Sequence, residues 1–376
     1  MGPMPQKIVV VLSTIFKVHG GIPRFNQMLC LALDQLAPEL GLDVRVLSQD
    51  DADEDYLAHG APWKHARFVP GGGQRSLALR TLKTCYTEFP SLLVVGLLGM
   101  TPLGVACLPA VRRGFGFVAH GTEAWDEPRW TRRFSARRAR FAFAVSDHTR
   151  RSLARSTGID PDLVRWLPNT LQPGFESAGS AASDPISEPA AGLELLTVAR
   201  LDGEERAKGV DHSIEAFARL APRYPPARYR IIGRGSDKPR LIELARSLSL
   251  GDRVVFEENL SDAELADAYR RCSMFLLPSG QEGFGIVFLE AMRFSKPCIG
   301  GNAGGTPEVI DDGRTGVLVP HGNVDVLESA IESLLADRDL RSGMGRAGRK
   351  RLDRLFVFGR FRERLAGHLR ELLGPR

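Results

Sequence analysis

Short apolar runs alternate with longer amphipathic stretches along the whole chain, and this constrains the fold more than any other feature of the sequence. Ile8–Ser13, Val44–Leu47, Leu92–Gly96, Gly116–Ala119, Phe141–Val145 and Val164–Leu167 read as strands. A second series follows at Leu195–Val198, Tyr229–Ile232, Val254–Phe256, Met274–Leu277, Cys298–Ile299 and Val317–Val319. Helices fit between them. In Ile22–Gln35 the residues Phe25, Met28, Leu29 and Ala32 recur at helical spacing, and Leu36 continues the series. Strands alternating with helices pair in parallel and are covered on both faces.

A chain of 376 residues, 43 % of them hydrophobic, holds enough apolar material for two cores. The composition changes at Glu176–Ala191, which is rich in Ser, Ala and Pro and reads as a linker. The expected class is therefore α/β: two Rossmann-like doubly wound domains, 1–175 and 192–355, joined by the linker 176–191. A helical tail, 356–376, is expected to pack back on the first domain. Ligands of such sheets bind beyond the carboxyl ends of the strands, so the active site is expected in a cleft between the domains.

Fifty Lys and Arg against 45 Asp and Glu leave a net charge of +5, too small to argue for a nucleic-acid partner. Five scattered cysteines without C-x-x-C spacing read as reduced thiols, not as a disulfide framework or a zinc site. No segment approaches the roughly 18 apolar residues of a membrane span. No signal peptide is read at the start, and Gln6 stands where a myristoylation motif needs Ser or Thr. A cytoplasmic protein is expected.

Four constellations carry chemistry. Gly20-Gly21-Ile22-Pro23 follows the first strand and opens the first helix, where paired glycines admit a phosphate to the backbone. His120-Gly121 stands at the end of a strand. Arg200, also at a strand tip, is followed by Lys208 before the next helix, a pair of cations suited to a diphosphate. In Ser279-Gly-Gln-Glu282-Gly283-Phe284-Gly285-Ile286, continuing to Glu290, a strand runs through a glycine-rich turn into a helix. The turn's free amides and the helix dipole make an anion site, while Glu282 and Glu290 suit sugar or ribose hydroxyls. Each feature alone has an ordinary structural reading as a tight turn, a satisfied histidine or a solvated charge. Their order and spacing together are specific.

Glu282-x7-Glu290 with Gly-Phe-Gly-Ile resembles the signature of retaining glycosyltransferase family 4, within glycosyltransferase group 1, whose fold is GT-B. The resemblance runs from Gly20-Gly21 through Pro168-Asn169, Ile232-Gly233-Arg-Gly235 and Gly304-Gly305-Thr-Pro-Glu308 to Thr315-Gly316. It implies that Gly20, Gly21, Gly233, Leu260, Gly283, Phe284, Gly285, Ile286 and Glu290 bind the donor, with Glu290 on the ribose and Leu260 near the base. It implies that His120 contacts the transferred sugar, that Arg200 and Lys208 neutralise the leaving diphosphate, and that Glu282 holds sugar hydroxyls. Thr170 replaces the glycine usual after Pro-Asn, and the loop between Arg200 and Lys208 is long; the latter, with His-Gly-Thr-Glu, is similar to bacterial polysaccharide-biosynthesis members.

The implied activity is transfer of a hexose from a nucleotide-sugar such as UDP- or GDP-hexose to a glycan, lipid-linked or small-molecule hydroxyl. No cofactor or metal is expected. Asp51-Ala-Asp53 has the form of a metal-binding pair but reads as solvated within an acidic, loop-like stretch. Competing readings are a GT-B phosphorylase, a sugar-nucleotide epimerase or a non-catalytic nucleotide-sugar-binding protein. Nine arginines against one acid between Arg129 and Arg155, interleaved with Trp130 and Phe134, make Arg129–Arg140 a candidate patch for an anionic membrane surface and peripheral attachment.

Overall fold

The computed structural model describes residues 5–18, 20–178 and 193–374. Two compact units emerge, Met1–Thr170 with Phe358–Arg376, and Leu171–Val357. The first division falls ahead of the expected boundary at 175. Of the expected linker, residues 176–178 end a short helix, Pro173–Ala178, and residues 179–191 lie outside the described residues.

The first unit holds seven strands: β1 Gln6–Leu12, β2 Leu42–Ser48, β3 Arg67–Pro70, β4 Leu92–Val95, β5 Phe115–Ala119, β6 Phe141–Ala144 and β7 Val164–Trp166. Their order is β3-β2-β1-β4-β5-β6-β7, and every neighbouring pair is parallel. The second unit holds β8 Glu194–Val198, β9 Arg228–Ile232, β10 Val254–Glu257, β11 Met274–Leu277, β12 Cys298–Gly301 and β13 Gly316–Val319. Here the order is β10-β9-β8-β11-β12-β13, again parallel throughout. Continuous apolar strands such as Ile8–Leu12 and Met274–Leu277 are buried, as parallel strands covered on both faces require. In each sheet the strand order reverses beside the first strand, between β1 and β4 and between β8 and β11. That is where such sheets open a crevice at their carboxyl ends.

The expected helix Ile22–Gln35 is longer, Gly21–Leu40, and keeps Pro38 in its last turn. The tail forms the helix Phe358–Leu373 and belongs to the first unit. Phe361 meets Phe25 edge-on at 5.7 Å, His368 Nε2 lies 3.1 Å from the Trp166 carbonyl, and Arg165 pairs with Glu371. The acidic stretch after β2 is not a solvated loop throughout: Asp51 is buried, and Asp53–Ala58 forms a short helix. All five cysteines are buried and free.

Phe361 is 1 % exposed at this seam. Phe361→Ala is therefore expected to cost about 3–5 kcal/mol, the usual range for a buried phenylalanine. Denaturant unfolding followed by fluorescence measures it, and a change confined to a few tenths would mean that the tail does not stabilise the first unit.

Candidate functional site

In the second unit the candidate residues gather at the carboxyl edge of the sheet, on the loops after β8, β9, β10 and β11. The chain leaves β8 through Arg200 and runs through a short 3-10 segment, Gly203–Lys208, before the helix Val210–Leu220. The turn after β11 is tied to this segment by its backbone. Gly280 N donates to the Ala207 carbonyl at 2.7 Å, and Ser279 Oγ donates to the same oxygen at 3.2 Å. These bonds set Lys208 against Glu282, with Lys208 Nζ 2.6 Å from Glu282 Oε2. Both side chains are largely shielded, so their attraction is screened less than that of a surface pair. From the other side, Gly305 N donates to the Glu282 carbonyl at 2.7 Å, so Gly304-Gly305 braces the turn.

Past Glu282, the Phe284 ring is buried and meets Phe356 edge-on at 5.4 Å, which anchors the turn in the core. Gly285 adopts φ +94°, and a Cβ there would lie 2.4 Å from the Phe288 ring. Only glycine makes this entry into the helix Ile286–Arg293. The first amides of a helix have no partner inside it, so the turn offers N–H groups and the positive end of a dipole to an anion. Gly233, just after β9, runs so close to the end of β8 that a Cβ would lie 2.0 Å from the Ala199 carbonyl. Arg200 is exposed and paired with Glu205. Leu260 is half-buried, just ahead of the Ser261 cap of the helix Asp262–Arg271.

Glu290 is placed differently from what its motif suggests. It is 1 % exposed, and its Oε2 accepts a 2.7 Å hydrogen bond from the Tyr269 hydroxyl. All six residues from Phe288 to Arg293 are buried, so the second turn of this helix has no open face. A carboxylate there needs hydrogen-bond partners to offset its desolvation, and Tyr269 supplies one. The carboxylate is thus in the interior and not at an open edge.

In the first unit, Gly20 precedes and Gly21 opens the helix Gly21–Leu40 at the carboxyl end of β1, and His120 follows β5. Phe25 of that helix meets the His120 ring edge-on at 5.0 Å, which places the glycine-rich loop and the histidine on one edge. His120 Nε2 lies 2.9 Å from the Gly96 carbonyl after β4. A carbonyl can only accept, so Nε2 carries the proton and Nδ1 is left as an acceptor. Burial pushes the imidazole below its ordinary value, against the opposing pull of Glu123 and of the Gly96 bond, so the ring is neutral near pH 7.

Sequence reasoning missed Ala207 and Tyr269, and quoted Ser279 in its motif without giving it a role. Ala207 and Tyr269 act through partners far off in sequence, so neither carried a local signal. Among the described residues no three of His, Cys, Asp or Glu cluster to hold a metal ion, and no helix is long and apolar enough to cross a membrane.

Comparison with known proteins bears on the family and the fold. The family described as Glycosyl transferases group 1 matches residues 185–351. The alpha-D-kanosaminyltransferase of Streptomyces kanamyceticus is 30 % identical over 220 residues, 57 % of this chain and 56 % of that one. A GDP-mannose-dependent alpha-(1-6)-phosphatidylinositol monomannoside mannosyltransferase of Mycobacterium tuberculosis is 32 % identical over 248 residues, 58 % of this chain. The chain spans 64 % of that relative's length. Among solved structures, a glycosyltransferase from Rickettsia africae superposes with a TM-score of 0.80 at 15 % identity, covering 99 % of this chain and 100 % of the other. Anabaena HepE in complex with UDP-glucose superposes with a TM-score of 0.76 at 20 % identity, covering 97 % and 100 %. Residues 185–351 are thus similar to group 1 glycosyltransferases, and the fold of the chain is GT-B.

Proposed function

We propose that the protein is a metal-independent, retaining hexosyltransferase that uses a nucleotide-diphosphate sugar. The observation that carries this reading is the Lys208–Glu282 pair, held 2.6 Å apart beside the amides that open the helix Ile286–Arg293. A diphosphate entering there meets the Lys208 ammonium, the exposed Arg200 guanidinium and a helix N-terminus. Three sources of positive potential stand in for a metal ion at the leaving group. Drawn toward phosphate, Lys208 releases the Glu282 carboxylate to accept hydrogen bonds from sugar hydroxyls. By the family resemblance alone, His120, a neutral ring with Nδ1 as its acceptor, is assigned a contact with the transferred sugar. Glu290 keeps acceptor capacity beyond the Tyr269 bond to its Oε2, which is what the ribose role assigned by the resemblance requires.

The bond between the anomeric carbon and the diphosphate breaks as the acceptor oxygen bonds that carbon on the same face. The acceptor's proton passes to the departing diphosphate oxygen. Positioning and electrostatic stabilisation of the leaving group supply the acceleration. UDP- and GDP-hexoses are the donors to try, because HepE was solved with UDP-glucose and the mycobacterial relative is named for GDP-mannose.

A screen of nucleotide-sugars for protection against thermal unfolding, followed by transfer assays, tests the donor class. Arg200→Ala, Lys208→Ala and Glu282→Ala are each expected to lower turnover by at least about tenfold, or 1.36 kcal/mol, with the fold intact. Asp53→Ala, on an exposed helix remote from these residues in sequence, is expected to be nearly silent. A dead Asp53→Ala beside an active Lys208→Ala would place the chemistry elsewhere. Excess chelator is expected to leave the rate unchanged; loss of turnover restored by magnesium or manganese would overturn the metal-free reading.

We propose further that the acceptor is membrane-proximal, reached by peripheral attachment to an anionic surface. Trp130 is 76 % exposed on the helix Trp130–Ala136, Phe134 is exposed beside it, and Arg138 lies 3.6 Å over the Phe134 ring. Arg129, Arg132 and Arg137 are exposed on the same segment, and each basic residue near such a surface contributes about 1 kcal/mol. Co-sedimentation with vesicles is expected to need anionic lipid and to weaken at physiological salt, and Trp130→Ala is expected to reduce it. Equal recovery in the supernatant with and without anionic lipid, at low and at physiological salt, would favour a soluble acceptor.

A further inference from the structure

The Asp51 carboxylate is 2 % exposed and plays no part in the site described above. It accepts the backbone amides of Ile15 at 2.6 Å, Phe16 at 2.8 Å and Lys17 at 2.7 Å. The Ser48 hydroxyl also donates to it, and the Thr14 hydroxyl does so at 3.5 Å. Successive amides converging on one acceptor form an anion-binding nest. The nest lies in the turn after β1, where a nucleotide-binding α/β domain commonly receives a phosphate. Here the chain supplies the anion itself, from the end of the neighbouring strand β2.

The same turn is held on its other polar groups. Asn26 Nδ2 donates to the Thr14 carbonyl at 2.9 Å, and Gln27 Nε2 donates to the Ile15 carbonyl at 2.6 Å. Both residues belong to the helix Gly21–Leu40 that the turn leads into. The Phe16 ring is enclosed by His59 at 4.8 Å, Trp63 at 5.7 Å and Tyr56 at 5.9 Å. The amides of Ile15–Lys17, the carbonyls of Thr14 and Ile15 and the Phe16 ring are therefore all held.

We propose that Asp51 is a positioning residue, an internal anion that fills the nest of Ile15–Lys17 and so fixes the turn that presents Gly20-Gly21 beside His120. It also denies that nest to a nucleotide phosphate. The effect on transfer rests on the function proposed above; the nest itself does not. Asp51→Asn keeps the shape but removes the charge, and its NH2 group cannot accept from the converging amides. Asp51→Gly opens a space of carboxylate size.

Hydrogen exchange and chemical rescue test the nest. In Asp51→Asn, exchange at the amides of Ile15–Lys17 is expected to rise by at least about tenfold, while amides of the β4–β5 pair keep their protection. Millimolar formate or inorganic phosphate is expected to raise the melting temperature of Asp51→Gly and not that of the wild type. If Asp51→Gly fails to fold, Ser48→Ala, which keeps the carboxylate but removes one donor, is expected to show a smaller rise in exchange at the same amides. Unchanged exchange at Ile15–Lys17 in Asp51→Asn would overturn the proposal.

Release of nucleoside diphosphate from UDP-glucose or GDP-mannose supplies the functional readout. Asp51→Asn is expected to lower kcat by about tenfold or more with a smaller change in donor KM, the pattern of lost positioning. A wild-type enzyme that binds and cleaves neither donor would count against the transferase reading, while the exchange and rescue results would still decide the nest. An active wild type with an unchanged kcat in Asp51→Asn would remove the positioning role.

Discussion

Parallel pairing is the constraint on which the rest of this structure depends. With every strand of a sheet running the same way, every strand of that sheet delivers its carboxyl end to one edge. Chemistry-bearing loops then collect without any sequence proximity. Lys208 and Glu282 are 74 positions apart yet form a direct ion pair, because β8 and β11 are neighbours across the reversal in strand order. In the first unit the same logic brings His120, after β5, to the carbonyl of Gly96, after β4. The edge is an address that the topology assigns, and the turns decide what is placed there.

Much of this was legible because its causes are local. Apolar runs buried on both faces stand out, and twelve of the thirteen strands lie where such runs do. The exception, β3, is a four-residue edge strand, Arg67–Pro70, with no fully buried residue, so it carries no apolar run to find. The glycine-rich turn at Glu282–Ile286 was equally plain, since a backbone that only glycine tolerates must be written into the sequence. Glu290 was harder. Its spacing from Glu282 is visible, but its hydrogen-bond partner Tyr269 lies 21 positions away on another helix.

Asp51 was misread for the same reason, more severely. An acidic stretch suggests solvent, and nothing near Asp51 in sequence contradicts that. Its partners at Thr14–Lys17 lie 34 to 37 positions earlier, on the far side of a helix and a strand. A carboxylate among acids is legible as a class and not as an individual. Whether one of them turns inward depends on which backbone amides lie unpaired nearby, and that is a property of the folded turn. Asp53, two positions on, is exposed, so the residue type and its neighbourhood could not have separated the two.

A carboxylate within a proposed phosphate site needs a physical account, because in isolation it would repel the ligand. The account lies in the pairing. A largely shielded ammonium without a partner would carry an uncompensated desolvation cost, and Glu282 offsets it. On the proposed function a diphosphate, with more negative charge than one carboxylate, would also reach Arg200 and a helix N-terminus and so compete for Lys208. The displaced carboxylate must then find other donors, and sugar hydroxyls are the donors that a nucleotide-sugar carries next to its diphosphate. On the proposed function, binding at the phosphate and recognition of the sugar are therefore a single exchange of partners.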